Sequence, residues 1–262
     1  MSAKECMAVP LSAFVITKNE RNKISECLDS LSFASEIVIV DDFSQDGTAE
    51  QAATCGARVV SNHFSGFRDQ KCFAMEQAAN DWVLELDADE RVSAEMRSAL
   101  LALTAADFER YDGFAFRRLT RFWGKWIRHS SLYPDYKVRL YHRRRGEWYG
   151  GRVHERFVPV GAVRKLQVDI LHEQDLSMKI YMGRIDRYAE LSAMDYAATG
   201  RRWSLFDFLR PFHTFFYRLI IRCGYLDGIH GVIIAYFGAM GTFLKYAYLL
   251  EITRGFRLRE KP

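Results

Sequence analysis

Asp87-Ala88-Asp89 closes an apolar run, Trp82 to Leu86. Such a run reads as a buried strand, and the tip of a strand is where an open α/β sheet holds its ligands. Residues two apart on an extended segment point to the same side. Two carboxylates placed that way can meet one hard cation or one sugar hydroxyl. A lone Asp-x-Asp also reads as a strand running into an acidic helix start. A second acidic strand end, Asp41-Asp42 after Glu36 to Val40, moves the weight towards chemistry.

The elements that must position these groups are legible from periodicity. Leu11 to Thr17 is a first strand, and Asn19-Glu20 opens a helix with Ile24, Cys27, Leu28 and Leu31 on one face. After the second strand, Ser44-Gln45-Asp46-Gly47-Thr48 is turn chemistry ahead of another helix. Arg58 to Ser61 is a third strand, Phe67 to Asn80 a helix, and Trp82 to Leu86 the fourth strand. Ser93 caps a helix running to Leu103. This alternation predicts a mostly parallel sheet with helices on both faces. Beyond Tyr111, strands are expected at Gly113 to Arg117, Lys137 to Tyr141 and Val168 to Leu171, between Arg- and Trp-rich segments. Leu176 to Ala198 returns to helical spacing, with Ile180, Met182, Ile185, Ala189 and Leu191 as packing candidates. Two or three helices follow, around Leu205–Cys223 and Gly228–Arg254.

A chain of 262 residues with 49% hydrophobic content can bury a full core, which excludes disorder for the bulk. Five scattered cysteines without a CxxC pair argue for a reducing compartment and against a disulfide framework or structural zinc. The first ten residues have no apolar core, so no signal peptide is expected. The net charge of +4 is uneven: from Arg201 onward ten Lys/Arg face four Asp/Glu, a local +6. A basic tail rich in Phe, Tyr, Leu and Ile points to an anionic membrane surface, not nucleic acid.

Three blocks, Phe14-Val15-Ile16-Thr17-Lys18-Asn19-Glu20, Ile39 to Thr48 and Trp82 to Glu90, resemble in order and spacing a family 2 glycosyltransferase of the GT-A fold. The resemblance covers roughly residues 10–175. More narrowly, Trp148 to Glu155, Arg187-Tyr188 and Gly224 to Gly228 resemble the bacterial branch that adds a sugar, typically glucose, to the lipopolysaccharide inner core. What it implies is α/β: a Rossmann-like GT-A domain at 8–175, split into a nucleotide-sugar half (8–110) and an acceptor half (111–175), then a membrane-associating helical region at 176–262.

The resemblance also implies roles. Asp41 would read the uracil of a UDP-sugar, its lesser alternative being to cap the next turn; Thr17 and Glu20 would border base or ribose, or equally cap the first helix. Gln70 and Lys71 would face the nucleotide, Lys71 offsetting diphosphate charge, or form a solvated helix surface. No Walker-type Gly-rich loop is present, so a divalent Mg²⁺ or Mn²⁺ is the economical partner for the phosphates. Asp89 would be its direct ligand, Asp87 would lie nearer the ribose, and His172 would complete the shell, an imidazole suiting Mn²⁺ better. Inverting transfer needs a base beside an oxocarbenium-like transition state. Relatives place an x-Glu-Asp motif there; this chain has Val153-His154-Glu155, so Glu155 is the candidate base and His154 its neighbour or substitute. Arg117, Arg118, Arg121, Arg128, Arg139 and Arg143 to Arg145, interleaved with Trp123, Trp126 and Trp148, would suit a phosphorylated saccharide, or form a basic face over core tryptophans.

Phe206, Phe208, Leu209, Phe212, Phe216 and Ile220 alternate with Arg210, Arg218 and Arg222, the pattern of a helix lying in a membrane surface. Gly231 to Leu244 is apolar for 14 residues, short of the roughly 20 that a span needs. The expected seat is therefore peripheral, on the cytoplasmic face of the inner membrane; packing at an oligomer interface is the rival. The function so implied is transfer of a hexose from a UDP-sugar donor to a lipid-linked saccharide acceptor. Its rivals are another acceptor, a nucleotidyltransferase, for which the signature after the first strand is missing, and a glycan-binding protein.

Overall fold

Both faces of the first strand are buried, as in a central parallel strand covered by helices on each side. The computed structural model describes residues 7–150, 155–174 and 177–254. Within it, β1 (Leu11–Thr17), α1 (Arg21–Ser30), β2 (Glu36–Asp41), α2 (Thr48–Thr54), β3 (Arg58–Ser61), α3 (Phe67–Gln77) and β4 (Trp82–Asp87) alternate. There follow β5 (Glu90–Val92), α4 (Ala94–Leu101), α5 (Ala105–Arg110), β6 (Gly113–Phe122), β7 (Lys125–Ile127) and β8 (Asp135–His142). The remaining strands are β9 (Gly146–Tyr149), β10 (Arg156–Pro159) and β11 (Val163–Glu173). The chain divides into two compact units, one holding the residues up to Thr120 with Asp135–Gly150 and Glu155–Glu173, the other Arg121–Pro134 and the chain from Gln174 on.

The first unit is a GT-A-like mixed sheet in the order β3-β2-β1-β4-β8-β6-β11-β5. Strands β1 to β4 are mutually parallel, and β8 turns the sheet antiparallel against both β4 and β6. Register places Thr17 opposite Asp41, and Ile16 opposite Asp87, so the carboxyl ends of β1, β2 and β4 finish level. Alternate strand residues feed opposite cores. Leu11, Val15, Ile39 and Leu84 pack with Ile24, Cys27 and Leu28 of α1 and Met96 and Leu100 of α4. Phe14, Val38, Val40 and Val83 pack with Ala74 of α3 and Tyr141 of β8.

Several ends differ from the periodicity reading. Helix α3 stops at Gln77, not Asn80: Ala78 is extended, and the Asn80 amide donates to Ser12 Oγ at 3.1 Å. The helix capped by Ser93 ends at Leu101, and Thr104 with Asp107 forms a capping box that starts the separate α5. Strands β5, β9 and β10 are three or four residues long, too short to carry a pattern.

In the second unit Ser177 caps α6 (Met178–Ala198) by accepting from the Ile180 amide. The buried seam of α6 runs through Met182, Ile185, Ala189 and Ala193. Ile180, expected to pack, sits in the capped first turn and is 53% exposed. A 3₁₀ turn (Leu205–Leu209) leads into α7 (Arg210–Phe216) and a π-helical turn (Tyr217–Ile221). The long α8 (Ile229–Arg254) packs Ile234, Phe237, Tyr246 and Leu249 into this unit. Gly231 permits its first turn: a Cβ there would lie 1.7 Å from the Gly224 carbonyl oxygen. Asp227, 3% exposed, accepts from the His129 amide at 2.9 Å and pins the loop ahead of α8.

Glu36 ties the amino-terminal edge of the sheet together. It accepts from Ser12 Oγ at 2.7 Å, the Ala79 amide at 2.8 Å and Arg58 Nη2 at 3.1 Å. Burial pushes its carboxyl upwards, but these donors outweigh burial and hold it below the ordinary glutamate value. A depressed carboxyl stabilises the fold above its unfolded pKa and loses that contribution as pH falls through the folded value. Glu36→Gln should therefore melt below the wild type at pH 7, and the gap should close as pH drops below about 4. Thermal unfolding followed across that range checks it; a gap independent of pH would refute the ionic role.

Candidate active site

The loops after β1 and β2 are laced into one rim. Asp41 is 2% exposed and accepts from the Ser44 amide at 2.8 Å and the Ser44 hydroxyl at 2.5 Å. Asn19, in the left-handed region at φ 55°, accepts from the Gln45 amide, and its own amide donates to Ser44 Oγ at 2.8 Å. The Glu20 amide donates to Thr48 Oγ1 at 2.9 Å, and the Arg21 amide to Asp46 Oδ2 at 3.1 Å. Asp42 turns instead to Lys18 and the Phe64 amide. Thr17 is 6% exposed, and its buried hydroxyl finds no hydrogen-bond partner among the described residues.

Beneath this rim lies a buried charge cluster. Lys71 of α3 is 4% exposed, with Nζ 2.8 Å from Glu85, 3.2 Å from Glu155 and 3.3 Å from Asp87. Arg139 of β8 pairs with Glu85, with Asp87 at 2.8 Å and with Glu90 at 2.8 Å. Glu90 also accepts from the Asp87 amide at 3.2 Å, closing the turn between β4 and β5. Burial pushes the Asp87 carboxyl up, but Lys71 and Arg139 overcome it and hold Asp87 far below the ordinary aspartate value. The same carboxylates hold Lys71 above the ordinary lysine value against burial.

Asp89 stands apart from that cluster. Its Oδ2 is 3.5 Å from His172 Nε2, and the opposite ring nitrogen lies 3.2 Å from Thr120 Oγ1. The tautomer decides what the pair can do: with the proton on Nε2 the ring donates to Asp89 and accepts from Thr120, and with it on Nδ1 the Nε2 lone pair faces the carboxylate. In the second arrangement the imidazole nitrogen and the carboxylate oxygen would fit a divalent cation between them. Burial raises the Asp89 carboxyl, yet the His172 contact wins and leaves it below the ordinary value. Among the described residues no cluster of three His, Cys, Asp or Glu could hold a metal alone. Mg²⁺ ordinarily takes one or two carboxylates completed by substrate phosphates, and the imidazole in this pair tilts the fit towards Mn²⁺. A small cavity adjoins Asp89, lined by Asn22, Lys23, Glu26, Ala88, Arg91 and Glu173.

The residues singled out in the sequence thus fall into separate groups. Thr17, Glu20 and Asp41 share the rim; Asp87, Lys71 and Glu155 share the cluster; Asp89 and His172 form their own pair. Gln70 is 1% exposed and holds Asn62 at the end of β3, accepting from Nδ2 at 2.9 Å. Gln70 and Lys71 are therefore not a solvated helix surface. His154 lies outside the described residues. The arginines read as a basic face are largely engaged: Arg117 with Asp169, Arg118 with Asp135, Arg143 with Asp81, and Arg139 is 5% exposed. Trp148 packs with Tyr141 and Phe157. Glu85 and Glu90 escaped the sequence reading. Part of the signal was available: Glu85 interrupts the apolar run of β4 and Arg139 stands between Val138 and Leu140 in β8, and a buried charge calls for a partner.

The glycosyl transferase family 2 model matches residues 12–166. The lipopolysaccharide core biosynthesis glycosyltransferase LpsC of Rhizobium meliloti is 32% identical over 251 residues, covering 93% of each chain. An uncharacterized glycosyltransferase of Rickettsia typhi is 26% identical over 93% of this chain and 87% of its own. Among solved structures, mannosyl-3-phosphoglycerate synthase from Rubrobacter xylanophilus aligns at 16% identity over 75% of this chain and 77% of that one, with a TM-score of 0.48.

Removing Arg139 leaves Glu85, Asp87 and Glu90 with fewer cations than they require. Arg139→Met should cost about 3–5 kcal/mol, the penalty for an uncompensated buried charge. Urea unfolding measures it; a loss below about 1 kcal/mol would mean water reaches the cluster.

Proposed function

Since this chain belongs to glycosyltransferase family 2, we propose that it moves a hexose, glucose by sequence resemblance, from a UDP-sugar to a lipid-linked saccharide in the heptose region of the lipopolysaccharide inner core. The observation that carries the reading is the Asp-x-Asp at the tip of β4, with Asp89 beside His172 and the carboxyl ends of β1 and β2 level with it. The similarity to LpsC over nearly the whole of both chains supports the acceptor class.

Asp41 and the unpartnered Thr17 hydroxyl receive the base and ribose at the rim, where a carboxylate can accept an imide N–H. Asp89 and His172 would hold Mg²⁺ or Mn²⁺, which when bound supplies positive charge to the departing diphosphate. Glu155, with a side chain 14% exposed, takes the proton of the attacking acceptor hydroxyl. As an anion it also favours positive charge developing at the anomeric carbon.

The second unit meets the anionic cytoplasmic face of the inner membrane. Phe206, Leu209, Phe212, Phe216, Ile220 and Ile221 are each more than half exposed, a density that water does not favour. Arg210 and Arg222 flank them, as basic residues flank apolar ones in a helix lying at a lipid surface. Helix α8 is long and apolar enough, by length and composition, to cross a membrane. Its Ile234, Phe237 and Leu249 are buried in the protein, while Ile229, Tyr236 and Phe243 stay exposed and extend the apolar surface of the segment before it.

Full-length protein with UDP-glucose and heptose-bearing core lipid should yield glucosylated lipid, and Asp89→Asn should slow it by about 10²-fold or more. Full-speed turnover by a folded Asp89→Asn protein would overturn the scheme, and transfer only to polyprenyl phosphate would replace the acceptor. A Phe206→Ser, Phe212→Ser, Ile220→Ser triple variant should bind phosphatidylglycerol vesicles at least about tenfold more weakly. Unchanged co-sedimentation would defeat the membrane assignment.

A further inference from the structure

We infer that Lys71 is a positioning residue, one that fixes Glu155 against Asp87, and not a ligand of the donor diphosphate. The assignment rests on the transferase reading above and deepens it. A lysine ammonium carries three N–H donors and no acceptor. In this structure three carboxylates stand within reach of them: Glu85 at 2.8 Å, Glu155 at 3.2 Å and Asp87 at 3.3 Å. All three lie within ion-pair distance, so the ammonium's charge is already matched by the protein before any phosphate arrives. The side chain is 6% exposed, so the ammonium is also withdrawn from the solvent through which a nucleotide arrives.

Each of the three partners comes from a different place in the working part of the fold. Glu85 lies inside β4, Asp87 at its tip, and Glu155 immediately before β10. Lys71 reaches them from α3, with its ammonium 5.7 Å from the centre of the Trp148 ring. One cation therefore sets the distance between the end of the Asp-x-Asp strand and the candidate base. A general base acts only within hydrogen-bond reach of the proton it takes, so that distance bears on turnover more than on donor affinity. A diphosphate ligand would have the opposite signature.

The test is steady-state kinetics with UDP-sugar and acceptor on full-length K71M, K71R, E155Q and K71M/E155Q, with UDP affinity measured separately by calorimetry. K71M should lower kcat by about 10²-fold, the cost of a misplaced group, and leave donor KM and UDP affinity within about threefold. K71R, which keeps the charge, should recover part of the loss. Added to E155Q, K71M should cost less than about threefold more, because no base remains to be positioned. Losses that multiply in full, or a UDP affinity reduced tenfold with kcat preserved, would overturn the assignment and leave the transferase reading standing. If K71M does not fold, K71M/E85Q removes one charge of each sign and takes its place in the same comparisons. Absence of UDP-sugar turnover in the wild type would overturn the transferase reading and the Lys71 assignment together.

Discussion

Two cations and four carboxylates cluster at the tip of β4, and all but Asp87, whose side chain is 32% exposed, are largely closed off from water. Lys71 and Arg139 are each about 6% exposed, Glu85 3% and Glu90 not at all. Withdrawing any one of these charges from water unpaired would cost several kcal/mol, so none can leave without disturbing the others. The cations come from elements far apart in sequence: Lys71 from α3, and Arg139 from a strand 54 residues beyond Glu85. Strand β4, the turn to β5 and strand β8 are therefore fixed to one another by charge as well as by the backbone ladder. Asp89, two residues past Asp87, inherits its position from that arrangement.

The first half of the fold was readable because its elements are long. Strands β1, β2 and β4 are apolar runs of six or seven residues ending in polar ones, and Ile24, Cys27 and Leu28 keep helical spacing. Strands of three or four residues, such as β5 and β9, hold too few positions for alternation to register; the four-residue β3 was placed by the alternation of strands and helices around it. The site was legible in a different way. Asp87 and Asp89 stood out by type and spacing, yet adjacent carboxylates take different work: Asp87 is bound by Lys71 and Arg139, while Asp89 faces His172. No local pattern separates these fates, because the residues that decide them lie in α3, β8 and β11. Lys71 shows the same limit, since a basic residue on a helix looks solvated until the carboxylates across the sheet are known.

The second unit is organised by a contrast of exposure. Helices α6 and α8 bury small and aromatic residues along their seam, with Ala193 at 0% and Tyr246 at 4% exposure. The shorter α7 and its flanking turns put their aromatic side chains outside. Packing against α8 accounts for the glycines at 231 and 238, where a methyl group would strike the Gly224 carbonyl or the Arg218 guanidinium. The exposed apolar side chains are densest on α7 and its flanking turns, and Ile229, Tyr236 and Phe243 of α8 add to them.

The lacing of the two loops after β1 and β2 reaches beyond stability. Asn19, Glu20 and Arg21 on one side and Ser44, Asp46 and Thr48 on the other are joined by hydrogen bonds of 2.8 to 3.1 Å. A guest settling on this lip finds the walls already in place, and little configurational freedom is surrendered on docking. Under the nucleotide-sugar reading proposed above, selectivity at this lip would follow lock-and-key logic, with a rigid boundary instead of a yielding flap.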